Sequence, residues 1–377
     1  MAKISEYYRG KRKKRNRVLI PAAALLGLVS LVVVLFYGMQ KYVVITKDSV
    51  HIVSPLLQQQ EEIEAAEEGR AELEQYAETD IVFEEPDYSG VSAMPLRDLK
   101  CERAIFVSAD ELYPDKIQEY ADRLNVGNAL VLEMKPKTGI LKWNSKAWSA
   151  TAFGLAGDPL SDQMRTLLDE LKEKGVYLVA QISICRDDLY ASRSTVVTLR
   201  NDAGYNYIDA DGATWLDAYS LDVRNYAVSM VRELYELGFD EVVLADVRHP
   251  VLEEDVKLQY TRDMSTPPSA INAVCGFAVS VAQELEDRPG ALSIYINSAK
   301  TLVGRDPSNG QDGPLFFKLF DRVYYPTDRY AYSFNLDDLK GKNIEGALAV
   351  RFVPVVTNYL PDNAQNISWV LIDTGEE

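Results

Sequence analysis

Residues 223–250 read VRNYAVSMVRELYELGFDEVVLADVRHP. The first sixteen form an amphipathic helical stretch closing at Gly238. EVVLA (Glu241–Ala245) is a five-residue apolar run, and three polar side chains, Asp246, Arg248 and His249, follow it directly. Helix, strand and polar tip in that order make one unit of a parallel βα repeat.

The same alternation extends in both directions. Strand candidates are Ala104–Ser108, Ala129–Met134, Tyr177–Ile184, Glu241–Ala245, Leu292–Ile296, Arg322–Tyr325, Gly346–Val350 and Ser368–Ile372, interleaved with helical stretches such as SDQMRTLLDELKEKG (161–175). Eight strands with intervening helices over residues 98–377 predict a (β/α)8 TIM-type barrel of ordinary size. The connections to strands seven and eight are short, so the last third is expected to be irregular or incomplete, and an open doubly wound sheet is the rival architecture. No GxGxxG or GxxxxGK[ST] loop points to a nucleotide.

Barrels of this class carry chemistry at the C-terminal strand ends. Those ends offer Glu133 and Lys135 after strand two, Arg186, Asp187 and Asp188 after strand three, and Asp246, Arg248 and His249 after strand four. Asn297, the Tyr324/Tyr325 pair with Asp328 and Arg329, and Arg351 follow strands five, six and seven. Carboxylates, guanidiniums and aromatics in one groove suit a sugar. Glycoside hydrolysis needs two carboxyl groups, one to protonate the leaving oxygen and one to act as nucleophile or to activate water. Asp246 and Glu133 are the leading pair, with Asp187 as the alternative partner. Lys135, Arg186, Trp215, Arg248, His249, Asn297, Tyr325 and Arg351 are the candidate substrate-binding side chains, Trp215 as a stacking platform. Plainer readings stand beside these: Asp246 in an ion pair with Arg248, Glu133 in one with Lys135, Asp187 and Asp188 capping a helix, and Trp143, Trp148 and Trp215 in the core.

Other chemistries lack their residues. The two histidines, His51 and His249, fall on different modules, which argues against a histidine zinc site, and there is no GxSxG elbow. Cys101, Cys185 and Cys275 are too widely spaced for a metal motif or a disulfide framework. No metal or cofactor is implied.

Composition and charge organise the rest. With 47% hydrophobic and 26% charged residues the chain has apolar mass for a sizeable core, and a net charge of −17 argues against a nucleic-acid partner. The basic residues concentrate in 1–17, where eight bases face only Glu6. An uncharged run, VLIPAAALLGLVSLVVVLFYG (18–38), follows and is long enough to cross a bilayer as a helix. A cleaved signal peptide would have a shorter apolar region and a small-residue cleavage site. The positive-inside rule keeps 1–17 in the cytoplasm and places the remainder outside, as a single-pass membrane protein. Residues 39–57 alternate about Lys47-Asp48-Ser49 as a membrane-proximal hairpin. Residues 58–97 form an acidic helical stalk, with twelve acids against Arg70 between Gln58 and Asp87. Its heptad trace is too weak, and Arg70 too central in it, for a coiled-coil dimer.

Four segments resemble a known family: VGNALVLEMKPKTG, GVYLVAQISICRDDLYA, GATWLDAYSLDVRNYAVSMVRELYELGFDEVVLADVRHP and, more faintly, FDRVYYPTDRY. Over Arg103 to Arg351 the chain is similar to a family of predicted bacterial glycoside hydrolases, largely Gram-positive and anchored or secreted, with a TIM-barrel domain. The family's strand-four motif is approximately F-D-Y-I-R-F-P; Arg248 and Pro250 stand at its Arg and Pro, and Asp246 stands two residues before the Arg where the motif's Asp stands three before it. In the strand-two motif, approximately D-x-K-D-x-x-G, Lys135 and Gly139 agree, Glu133 replaces the first Asp, and the second carboxylate is absent. The strand-four aromatics are also gone. The resemblance implies an extracytoplasmic domain acting on a cell-envelope or extracellular polysaccharide through Asp246 with Glu133 or Asp187. A non-catalytic relative that keeps the groove and binds glycan or an envelope partner is the alternative.

Overall fold

A computed structural model describes residues 43–45, 50–52, 87–95, 97–124, 128–253, 256–261, 269–327, 348–360 and 364–375, together with Ser30. The chain divides into two compact units, 1–82 and 83–377. In the first, Val43–Ile45 and Val50–Ile52 pair antiparallel, Val43 opposite Ile52 and Ile45 opposite Val50, at the position predicted for the hairpin. Apart from Ser30, the expected membrane span over 18–38 lies outside the described residues, as does the acidic stretch as far as Pro86. Among the described residues no helix is long and apolar enough to cross a membrane.

The second unit is built on eight strands: β1 Arg103–Val107, β2 Ala129–Lys135, β3 Tyr177–Ser183, β4 Glu241–Ala245, β5 Ala291–Tyr295, β6 Val323–Pro326, β7 Phe352–Thr357 and β8 Trp369–Ile372. Each pairs in parallel with its sequence neighbours, and β8 closes the ring on β1 with Trp369 beside Arg103 and Leu371 beside Ile105. That closure excludes the open sheet. The continuous apolar runs follow from burial on both faces. Ala104, Val131, Val179, Val243, Val353 and Val370 fill the interior. Their alternates, including Ile105, Leu132, Ile182 and Leu244, belong to the larger core formed with the helices.

The main helices are α1 Pro114–Asp122, α2 Asp162–Glu173, α3 Leu221–Glu236, α4 Ala270–Glu284 and α5 Gly313–Leu319. Ser161, Ser269 and Asp312 begin three of them by accepting the backbone N–H of Met164, Asn272 and Leu315. The longest excursion joins β3 to α3. Within it, Arg200–Asn201 pairs with Leu258–Gln259 from the segment after β4, tying these two C-terminal-end loops together.

The seventh strand is displaced from its predicted position at Gly346–Val350. Leu348–Arg351 is a helical turn, and the strand is the following run, FVPVVT. A proline inside an apolar run argues against a central strand because it has no N–H for the ladder, yet Pro354 lies in register beside Tyr325. The last connection, 358–368, has no helix among its described residues, in keeping with an irregular final third. At the front of the unit, Tyr88, Val91 and Met94 pack against the barrel core, and the Met94 N–H donates to the Lys318 carbonyl at 2.8 Å. The barrel unit therefore begins ahead of residue 98.

Candidate active site

At the end of β4 the chain turns sharply. Asp246 has φ +52°, and among the described non-glycine residues only Asn358 shares the left-handed region. That conformation costs an L-residue about 1–2 kcal/mol, and Asp and Asn bear it best. Neighbouring strands hold it in place. The Ile184 and Cys185 N–H groups donate to the carbonyls of Ala245 and Asp246. The buried Gln311 amide donates to the Val247 carbonyl at 3.1 Å and the Tyr295 carbonyl at 3.0 Å, while its oxygen accepts the Asn297 N–H. The turn leaves the Asp246 carboxylate partly exposed, with Oδ2 accepting the Ser183 hydroxyl at 2.8 Å and Oδ1 3.3 Å from Arg248 Nε. Asp246 and Arg248 thus meet through a left-handed turn after the strand has ended.

Glu133 reaches the same end of the barrel from β2. It aligns with Gln181 and continues the inward row of Ala129 and Val131, and its Oε2 accepts the Ala109 N–H at 2.9 Å. Burial raises its pKa, reinforced by the negative charges of Asp110 and Asp246 and opposed by the Ala109 N–H and Lys142. One carboxyl is therefore desolvated and the other is hydrogen-bonded beside a cation, the contrast that separates acid from base.

A register shift between Glu133 and Lys135 separates these two neighbours. Lys135 aligns with Ile182, in the layer between barrel and helices; its Nζ lies 2.9 Å from Asp187 Oδ2 and donates to the Ser183 carbonyl. Both side chains of this pair are 0% exposed. Asp187 Oδ1 caps the short helix Asp188–Arg193 through the Tyr190 N–H at 2.8 Å. Gly139, at φ +82°, makes room for it, since a Cβ there would stand 1.9 Å from Asp187 Oδ1. This corrects the expectation for Lys135 and Asp187, because a fully buried ion pair presents nothing to a polymer.

The aromatic platform is corrected in the same way. Trp215 is 1% exposed, its Nε1 donates to Asp209 Oδ2 at 3.0 Å, and the guanidiniums of Arg186 and Arg248 lie over its ring at 5.4 and 4.6 Å. Arg186 is itself buried, with its charge on Asp209 and Asp211. His249 is buried too. Its Nδ1 faces the Pro250 carbonyl and therefore carries the proton, leaving Nε2 to accept from the Tyr260 hydroxyl, and burial lowers its pKa. Tyr325 packs outward against Phe352, whereas Asn297 is exposed at the end of β5. Arg351 moves farthest from its expected place. It precedes β7, at the N-terminal end of the barrel, and donates to the carbonyls of Phe317, Phe320 and Asp321. Asp328 and Arg329 lie outside the described residues.

The family described as "Putative glycosyl hydrolase domain" matches residues 104–338, from β1 past β6 and over more than half of the chain. The chain belongs to this family. No curated protein matches the sequence. Among solved structures, a hypothetical protein from Ruminiclostridium thermocellum ATCC 27405 is 18% identical with a TM-score of 0.43, over 50% of this chain and 96% of that one. The glycoside hydrolase domain of a PelA variant from Pseudomonas aeruginosa is 12% identical at 0.40, over 72% and 94%. Ega3 of Aspergillus fumigatus, in complex with galactosamine, is 12% identical at 0.39, over 77% and 95%.

In this glycosyl hydrolase domain the residues that share the barrel mouth are Glu133, Asp246, Arg248, Ser183, Tyr295 and Asn297. Ser183 and Tyr295 close β3 and β5, and they escaped the sequence reading because the predicted strands ran one residue further, to Ile184 and Ile296. Inward alternation from Val179 and Ser293 would have found them. Gln311, far along the chain in a two-residue strand, left no sequence signal at all. Tyr295 feels the Asp246 charge, and burial with that charge raises its phenol pKa.

Proposed function

We propose that the glycosyl hydrolase domain cleaves glycosidic bonds in a cell-envelope or extracellular polysaccharide, with Glu133 as proton donor and Asp246 as nucleophile or water-activating base. One observation carries the reading: two partly buried carboxyl groups share the C-terminal mouth in different environments, Glu133 with its pKa raised by desolvation and Asp246 held by Ser183 and Arg248. The membrane is part of the proposal. The uncharged run at 18–38, after a basic tail, supports a single-pass anchor with the barrel outside the cell.

Pro136 favours a second reading, since it stands where the strand-two motif has its second carboxylate. A barrel that binds glycan without cleaving it would keep Asp246, Arg248 and Asn297 for that purpose. The test is to screen the chain from Phe83 onward against envelope polysaccharides for new reducing ends and for binding, with Asp246→Asn as control. Release of sugar that the variant lacks supports hydrolysis. Retention without release supports binding, and neither activity refutes both.

A further inference from the structure

The opposite, N-terminal end of the barrel holds a buried cluster that the proposed site does not use. Glu102 precedes β1, Tyr177 and Glu241 open β3 and β4, Arg322 precedes β6, and Tyr324 lies within it. Glu241 is surrounded by donors. Arg322 Nη1 and the Tyr177 hydroxyl (3.0 Å) reach Oε2, while the hydroxyls of Ser293 (2.6 Å) and Tyr324 (3.0 Å) reach Oε1. The other guanidinium nitrogens of Arg322 serve carbonyls, Nε that of Val350 and Nη2 that of Lys100. Glu102 has far less. Its Oε2 lies 2.6 Å from Tyr324 Oη and 3.6 Å from Arg322 Nε, and Oε1 is buried with no partner among the described residues.

Proton counting decides what this arrangement means. The Tyr324 hydroxyl has one hydrogen, yet its oxygen stands within hydrogen-bond distance of two carboxyl groups. With both ionised, one carboxylate would face only phenol lone pairs, and a site with Glu102, Glu241 and Arg322 all 3% exposed or less would hold two negative charges against one positive. One added proton removes both faults. We infer that Glu102 is a neutral carboxylic acid in the folded protein at neutral pH, donating its proton to Tyr324 Oη, which in turn donates to Glu241, the anion paired with Arg322. The proton belongs on Glu102 because Glu241 has three donors besides Tyr324, namely Arg322, Tyr177 and Ser293, whereas the Glu102 carboxyl has no hydrogen-bond donor other than Tyr324 among the described residues. The ionisable groups facing Glu102 are Glu241 from β4 and Arg322 and Tyr324 at β6, with Tyr177 of β3 on the far side of Glu241. Burial first, and Glu241 second, push the Glu102 pKa up to about 8, against Arg322 and the Tyr324 hydrogen bond.

A group whose pKa is raised on folding stabilises the fold fully below its unfolded value, here 4.5, and that contribution is lost as pH rises through the folded value. The test compares melting temperatures of the full-length protein and its Glu102→Gln variant from pH 4 to 9. The carboxamide is neutral and can donate to Tyr324 as the acid does, so the variant should match the wild type at low pH. It should gain on the wild type progressively up to about pH 8, then hold its lead. A variant that falls further behind as pH rises, or a gap that does not change with pH, overturns the inference by showing an ionised Glu102 or no titration. Glu241→Gln should instead be destabilised throughout the neutral range, and if it shows the Glu102→Gln pattern the assignment of the proton is wrong. Should Glu102→Gln fail to fold, infrared spectra of the protein carrying Glu133→Gln decide. A protonated-carboxyl band present at pH 6 and lost by pH 9 supports the neutral acid, and its absence at pH 6 overturns it.

Discussion

Asp246 accepts a backbone cost to stand where it does, and that cost separates its two roles. Asparagine tolerates φ +52° as aspartate does, so Asp246→Asn should leave the melting temperature within a few degrees while abolishing turnover or glycan binding. Asp246→Ala should add part of that left-handed cost, up to about 1 kcal/mol, to the same functional loss, because alanine lacks the tolerance of Asp and Asn for this conformation. Thermal melts and a polysaccharide assay on both variants check this, and an asparagine variant that melts far lower would make Asp246 a structural ion-pair partner. Glu133 gives a second residue-scale prediction. A general acid works only while protonated, and burial raises this carboxyl, so activity should fall with rising pH along a limb above the ordinary carboxylate value of 4.5. Rate profiles should show that limb and lose it in Glu133→Gln. These two carboxylates were legible in the sequence because a strand tip is a position that hydrophobic patterning locates. The partners of Lys135, Asp187 and Trp215 were not, since a polar residue after an apolar run carries no sign of which distant side chain will cover it.

At the scale of elements, β2 shows how one irregularity assigns two chemistries to adjacent residues. Alternation alone would have put Glu133 and Lys135 on one face; the register shift sends Glu133 to the mouth and Lys135 to a sealed pair with Asp187. Gly139 belongs to that pair by geometry. Gly139→Ala would place a Cβ against Asp187 Oδ1 in a backbone conformation alanine avoids, and breaking a buried pair typically costs about 3–5 kcal/mol. A melting temperature close to wild type would mean that the Asp187 cap can shift without loss. The periods of strands and helices were legible along the chain because buried parallel strands are apolar on both faces. The exception, β7, was obscured by Pro354, and the same slip placed Arg351 at the wrong end of the barrel.

For the whole molecule, the boundary between the stalk predicted from sequence and the barrel is an energetic question that composition alone does not answer. Acidity runs continuously through Asp87, yet the second unit begins at Phe83, and residues shortly after it dock on the barrel. Tyr88, Val91 and Met94 pack against the core, Met94 N–H donates to the Lys318 carbonyl, Lys318 reaches back to the carbonyls of Ser89 and Val91, and Arg97 donates to Arg288 and Pro289. Side chains buried to this partial extent contribute roughly 1 kcal/mol each. A chain beginning at Phe83 should therefore melt like the second unit of the intact protein, and one beginning at Asp98 should lose on the order of 3 kcal/mol. For a domain of this size that corresponds to a fall of about 5 °C. Equal melting temperatures for the two would show that the segment lies on the barrel without stabilising it, and would return residues 87–97 to the stalk.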